Sequence, residues 1–368
     1  ANKKTAIRCL DLAETYILSN DWENALVQAE LGISYDNSIS DLDFIKATAQ
    51  NHLDYSKTQV LETLNFAFLK NNWINYNYNR ARILNADLLS DTGSYDESIQ
   101  ILSSEPFIYS ADAEFIRIKN YYRMGTSDSI SQARSRLASS RKIYPNDERF
   151  PQIFFMFEIM FLNYAERTQS DYLIPQIVYD IAHSYIAKIP NYDSNEITFE
   201  IMALLFCQNE EEQHRLLKAI GEKNQKSSLF AYAGLKCGIL SEEKAFNLFF
   251  DNIGDFINLN LLENFSILLK DSALRENFAD RINSFTGTII IDSDLDLRNE
   301  LVVKYERGRA QYIYFDLDTD GIDEIYSACD FGNPLSLNMK SENMEIIYNN
   351  FPYVKSVYLN NKNMEFTY

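Results

Sequence analysis

Over most of the first 285 positions, apolar residues recur at intervals of three and four, the spacing of a helix with one buried face. In "TAIRCLDLAETYILSNDWENALVQAELG", residues 5–32, Ala13 is followed by Tyr16, Trp22, Ala25 and Ala29. Small residues at Ala13 and Ala25 let two helices approach closely, while the rings fill the wedge between them. "SNDW" supplies the turn. The arrangement returns in "ADLLSDTGSYDESIQIL" as Ala86, Leu89, Gly93, Tyr95, Ser98 and Leu102, and in "GTSDSISQARSRLASSRKIYP" as Ile130, Ala133 and Leu137, closed by Pro145. A weaker copy centres on Val60 and Leu64. The position held by Ala25 thus recurs as Val60, Ser98 and Ala133, at steps of 35, 38 and 35 residues.

From residue 147 the helical period continues while this signature fades. "IFFMFEIMFL", 153–162, reads as a buried helix despite Glu158, and two further helices are predicted at about 257–269 and 272–285. At Gly287 the period changes from helical to alternating. "TIII", "ELVVKYE", "QYIYF" and "EIYSACDF" are β-branched or aromatic runs between turn residues, so strands are predicted there, followed by another strand-rich stretch from Pro334.

The spacing in the first 146 residues resembles the tetratricopeptide repeat (TPR), a helix–turn–helix unit of about 34 residues. It departs from that pattern where Tyr121 stands for a small residue and Asn37 for proline. The fold expected is therefore mainly α, a TPR-like helical-hairpin solenoid followed by a small C-terminal antiparallel β module of two to four strands. Three segments are predicted: TPR-like repeats over 1–146, a continued helical-hairpin array over 147–285, and the β module over 286–368. The resemblance implies that a protein or peptide binds in the solenoid groove. "NNWINYNYNRAR", 71–82, offers Trp73, Tyr76, Tyr78, Arg80 and Arg82 for that role, because Tyr, Trp and Arg combine large contact area with a polar handle. The alternative for these residues is packing between repeats.

The β segment carries a second repeat. "DSDLDLRNE" has acids at Asp292, Asp294, Asp296 and Glu300; "DLDTDGIDE" has them at Asp316, Asp318, Asp320 and Glu324; glycines follow at Gly308 and Gly332, every pair 24 residues apart. Acids at alternate positions of a tight loop converge on one point, and calcium takes six to eight oxygens. An EF-hand does not fit, since its twelfth position is Ser327 and strands flank the loop. The acid spacing resembles the calcium hairpins of FG-GAP-type β-propeller blades. Calcium is the cofactor this implies, with Gly321 in the second loop giving it the better turn; solvated turns between strands are the alternative.

Composition narrows the function classes. Eleven Gly and seven Pro in 368 residues favour helices, and a net charge of −19 disfavours nucleic acid or an anionic membrane surface as main partner. No run is apolar enough to predict a membrane span. The four cysteines, Cys9, Cys207, Cys237 and Cys329, form no CxxC pair, and His52, His183 and His214 stand in no metal-ligand spacing. Phosphate-loop, nucleophile-elbow and dinucleotide motifs are absent. The chain reads as a non-catalytic scaffold binding another protein. A calcium-dependent adhesion or glycan-binding protein of the cell envelope is the second reading, and a carboxylate-based hydrolase the third. Asp-rich loops suit millimolar extracellular calcium, which favours a bacterial periplasm or envelope over the cytoplasm.

Overall fold

The computed structural model describes all residues except 1, 54, 76, 169–172, 188–197, 224–226, 293–298, 318–322, 341, 361 and 368. It separates into two compact units, residues 1–144 and a second formed by 145–317 with 323–368.

The described residues of the first unit form eight helices: α1 Asn2–Leu18, α2 Trp22–Tyr35, α3 Ser40–His52, α4 Lys57–Lys70, α5 Tyr78–Asp91, α6 Tyr95–Ser103, α7 Ala111–Met124 and α8 Ser127–Ile143. Their starts are written in short polar residues. Asp21, Ser56 and Ser110 accept hydrogen bonds from the first-turn amides of α2, α4 and α7, and Thr126 with Ser129 closes a capping box on α8. The turns use left-handed backbone at Asn20 and Gly93. Ala25, Val60, Ser98 and Ala133 lie in α2, α4, α6 and α8, and all four have no exposed surface. Where the small position is serine, its hydroxyl is not orphaned: Ser98 Oγ donates to Ala86 O at 2.5 Å and accepts from Asn120 Nδ2 at 2.7 Å. Ala6, Leu10, Ala13, Ala29, Leu42 and Leu64 share one apolar core, and Ala86, Leu102, Ala113 and Ile116 another.

The second unit opens with α9 Arg149–Thr168, α10 Gln176–Ile186, α11 Thr198–Leu204, α12 Glu210–Lys223, α13 Ser228–Lys236 and α14 Glu242–Asn252. Helix α9 buries Phe154, Phe155 and Phe157, and with them Glu158. A short strand β1, Phe256–Asn258, precedes α15 Leu259–Leu268 and α16 Ser272–Asn283. The helix predicted at about 257–269 is α15, with residues 257 and 258 at its start taken into β1 instead. Gly254, at φ +66°, turns the chain out of α14, and Asp255 O accepts from Thr288 N at 2.6 Å. Three extended residues are too few to leave a period in the sequence.

Strands β2 Gly287–Ile291, β3 Leu301–Glu306, β4 Arg309–Phe315, β5 Ile325–Asp330, β6 Asn333–Met339, β7 Met344–Asn350, β8 Tyr353–Leu359 and β9 Lys362–Glu365 complete the chain. Among the described residues the sheet has nine strands in sequential order, all neighbours antiparallel except β1 and β2. The expected two to four strands were too few, because the stretch after Pro334 forms four strands of its own. One cross-strand row reads Ile289, Val303, Ile313, Ser327, Leu337, Ile346, Val357, Met364. Its start packs on the helices: Ile289 and Tyr305 join Phe246, Phe249 and Phe265, the last two stacked at 4.0 Å.

The 24-residue repeat is one hairpin plus one acidic loop. Arg307–Gly308 and Phe331–Gly332 are two-residue turns with positive φ at both positions, the twist that joins antiparallel strands. The irregularities at Lys304/Tyr305 and Ala328/Cys329 fall at the same offset.

Candidate functional site

In the first unit, the stretch 71–82 is anchored by a buried carboxylate. Asp41 Oδ2 accepts from Ile74 N at 2.6 Å, while its Oδ1 accepts from Asn75 N and from Asn77 Nδ2, at 3.2 and 3.1 Å. That fixes the loop ahead of α5. Trp73 is half-buried, its indole N–H donating to Asn71 Oδ1 at 3.1 Å, and it meets Tyr78 edge-on with ring centres 5.6 Å apart; Phe68 completes the ring cluster. Arg80 is exposed and lies over Phe44 at 5.6 Å. Arg82 is buried. Its guanidinium donates to Pro106 O and Ser104 O, both at 2.7 Å, and to Ile101 O, carbonyls at and after the end of α6. Its desolvation lowers the guanidinium pKa from the ordinary arginine value. A hollow of about 300 Å³ is lined by Phe68, Asn71, Tyr78, Arg82, Asn85, Ile101 and Ser104. The structure therefore brings Tyr78 and Arg82 to one hollow, with Trp73 packed on Tyr78 behind it and Arg80 exposed on the same helix start. Tyr76 lies outside the described residues.

The two acidic loops join equivalent strand ends, since Ile291 pairs with Leu301 and Phe315 with Ile325. Asp294, Asp296, Asp318 and Asp320 lie outside the described residues. Of the others, Asp292 and Asp316 are buried, at 6% and 9% exposure, whereas Glu300 and Glu324 are half-buried. Asp316 N donates to Glu300 O at 3.1 Å, so the start of the second loop is tied to the end of the first. Glu324 reaches back across its own loop, Oε2 accepting from Leu317 N at 2.6 Å. Among the described residues no three His, Cys, Asp or Glu side chains converge as a metal site.

The second unit also holds a cavity of about 430 Å³ that the sequence did not reveal. Helix α9 contributes Met156, Ile159, Met160 and Asn163, and α11 contributes Met202. The first turn of α13 adds Ser227 to Leu229, with Tyr232 one turn further on. Asn258, Asn260, Leu261 and Asn264 come from the β1–α15 junction, and Asp292 from the end of β2. Most of its polar groups are engaged: Tyr232 O–H donates to Asn163 Oδ1 at 2.8 Å, Ser227 Oγ accepts from Phe230 N, and Asn258 Oδ1 accepts from Leu261 N. Asn264 is 7% exposed, and its Oδ1, closed off from solvent, has no hydrogen-bond partner among the described residues. The sequence signal that could have pointed here is "NLNLLENF", 258–265, with one asparagine capping a short helix and two more on it, all three in the cavity lining.

The isolated histidines and cysteines have structural settings. Trp22 stacks on His52 at 3.7 Å, and a His214 ring nitrogen bonds Cys237 O at 2.7 Å. All four cysteines are free thiols, and burial pushes the Cys237 thiol up to about 11.

No known protein-family profile matches this chain. It is similar to an "Uncharacterized protein" of Treponema pallidum (strain Nichols), with 24% identity over 367 residues that take in 83% of this chain and 44% of that protein. The chain thus spans under half the length of this relative.

Proposed function

We propose that this chain is a non-catalytic scaffold of TPR-like helical hairpins whose first unit binds a segment of another protein. The observation that carries the reading is the hollow beside α5, where Tyr78 and two asparagines line a recess next to the Trp73 ring and the exposed Arg80. A partner side chain entering there meets ring faces, amide groups and a guanidinium held by its own hydrogen bonds, the mixture found at binding hot spots. The regular burial of Ala25, Val60, Ser98 and Ala133 supports the repeat assignment. Selection from a displayed random-peptide library on the purified chain tests it. Peptides so selected are expected to bind Tyr78→Ala and Arg80→Glu at least about tenfold more weakly, a loss of about 1.4 kcal/mol. Equal binding to both variants sinks the reading.

A second reading, calcium-dependent recognition by the sheet, is favoured by the second acidic loop. Glu324 already closes that loop on Leu317 N, and Asp316 sits buried at its start. Hard carboxylate oxygens at those positions suit calcium, and the sequence offers Asp318 and Asp320 between them. Beside them Tyr312, Tyr314 and Tyr326 form a ring cluster with centres 5.2 to 6.3 Å apart, a surface suited to a sugar face. This reading goes with an envelope or periplasmic location.

A further inference from the structure

The sheet of the second unit extends well past the helices that cover its start. In the row that begins with Ile289 and Val303, both are buried, at 8% and 9% exposure, and Ile289 packs into the core around Phe249 and Phe265. From β4 onward the same row, Ile313, Leu337, Ile346 and Val357, is only half-buried; small Ser327 is closed off. The next row on that face is Phe315, Ile325, Met339, Met344 and Leu359, paired strand to strand, and each of these is half-buried too.

Side chains alternate between faces along each strand, and the opposite face carries Lys304, Tyr312, Asn338, Glu345 and Glu365. The polar face is thus turned to water, and the apolar one continues beyond its helical cover. An antiparallel sheet with one apolar face normally lays it on a core. A contiguous apolar patch of this kind left in water marks an interaction surface.

Charge and area favour a second copy of this chain as the occupant. With a net charge of −19, two copies repel over most of the surfaces they could bring together. From β4 to β8 the two apolar rows hold no charged side chain, so this face sets no carboxylates against each other. Five strands about 4.8 Å apart and about seven residues long span about 500 Å², so two copies cover about 1,000 Å², the threshold of a specific interface. Both faces carry the same twist, which lets them pack aligned as the two sheets of a sandwich do. Met339 and Met344 supply pliant side chains for the fit.

We propose that this apolar face is a homodimer interface, in which the sheets of two chains pack face to face about a twofold axis with Leu337 and Ile346 near the centre. The opposite face, with Tyr312 and Tyr326, stays in water.

Analytical ultracentrifugation of the whole chain tests the proposal. The chain is expected to sediment as a dimer at about 100 μM and to dissociate on dilution. Leu337→Lys and Ile346→Lys, each of which sets a charge in the apolar face, are expected to weaken the dimer at least about a hundredfold, whereas Tyr312→Lys on the opposite face leaves it unchanged. Should the two apolar-face variants melt far below the parent, peroxide oxidation of the parent chain decides. Met339 and Met344 are then expected to react more slowly, relative to free methionine, at the concentration that gives the dimer than after dilution. A monomer at every concentration overturns the proposal. So does a dimer that survives both apolar-face substitutions in folded chains, or equal oxidation of the two methionines at both concentrations.

Discussion

Lys119 on α7 reaches back to α5, its Nζ donating to Asp91 Oδ1 at 3.0 Å and to Asp87 Oδ1 at 2.9 Å. Arg123 adds a bond to Asp91 at 3.3 Å, and Lys57 stands 3.7 Å from it. Burial opposes ionisation of Asp91, but Lys119, Lys57 and Arg123 outweigh it and hold the carboxyl below its ordinary range. Burial likewise opposes the charge of Lys119, yet Asp87 and Asp91 raise its pKa.

Asp91→Asn is therefore expected to cost about 3 kcal/mol at neutral pH, the scale for removing one partner of a buried pair. A carboxylate with a lowered folded pKa contributes stability that is complete above its unfolded value, about 3.9, and vanishes as pH falls through the folded one. Lys119, raised, contributes fully below about 10.4 and loses its part as pH rises through its folded value. Melting curves of parent and variant should then differ by a constant amount across mid pH and converge in strong acid.

Arg82 and Arg80 sit two residues apart and are expected to behave oppositely. Arg82→Ala leaves the carbonyls of Ile101, Ser104 and Pro106 without their donor and should cost about 3 kcal/mol; Arg82→Lys should recover little, since one ammonium cannot reproduce a planar fork. Arg80→Ala, on the surface, should change stability by less than about 0.5 kcal/mol. Urea unfolding of the three variants separates packing from recognition.

The two repeat glycines also part company. A Cβ at Gly308 would meet the backbone of Asn283, with Asn283 O only 2.1 Å away, whereas at Gly332 nothing lies within 4 Å. Gly332→Ala should cost about 1 kcal/mol of backbone strain, the scale for an L residue forced left-handed. Gly308→Ala must in addition push strand and helix apart, so its melting temperature should fall well below that of Gly332→Ala.

Calcium at millimolar concentration is expected to raise the melting temperature of the parent chain and not that of Asp316→Ala with Glu324→Ala. An equal shift in both would remove the second acidic loop from consideration.

Cys237 should react with a thiol-specific disulfide reagent at pH 8 far more slowly than a free cysteine, because its thiol is pushed up to about 11 and little thiolate forms. Rates measured on a Cys237→Ser comparison identify its share.

The helical repeat was legible because its signal is local and repeated: Ala25, Val60, Ser98 and Ala133 each had to be small enough for close helix contact, and each recurs at nearly one step. The 24-residue step was legible for a similar reason, since Gly308 and Gly332 occupy turns that demand positive φ. The strand at 256–258 was not, since three residues carry no period. Nor was the role of Arg82, which depends on carbonyls some twenty residues away. The cavity was invisible for the strongest reason: Met156, Met202, Asn264 and Asp292 come from four separated elements, and nothing about any one of them announces the others.

The sheet's sequential strand order has a consequence for how such a chain changes over generations. From β3 to β8 each strand pairs with the strands just before and just after it in the sequence, and the acidic step brings its own turn with it. Duplicating or deleting one 24-residue unit would leave every other pairing in register. Length here is a modular variable, counted in hairpins, that recombination can alter without redesigning the rest.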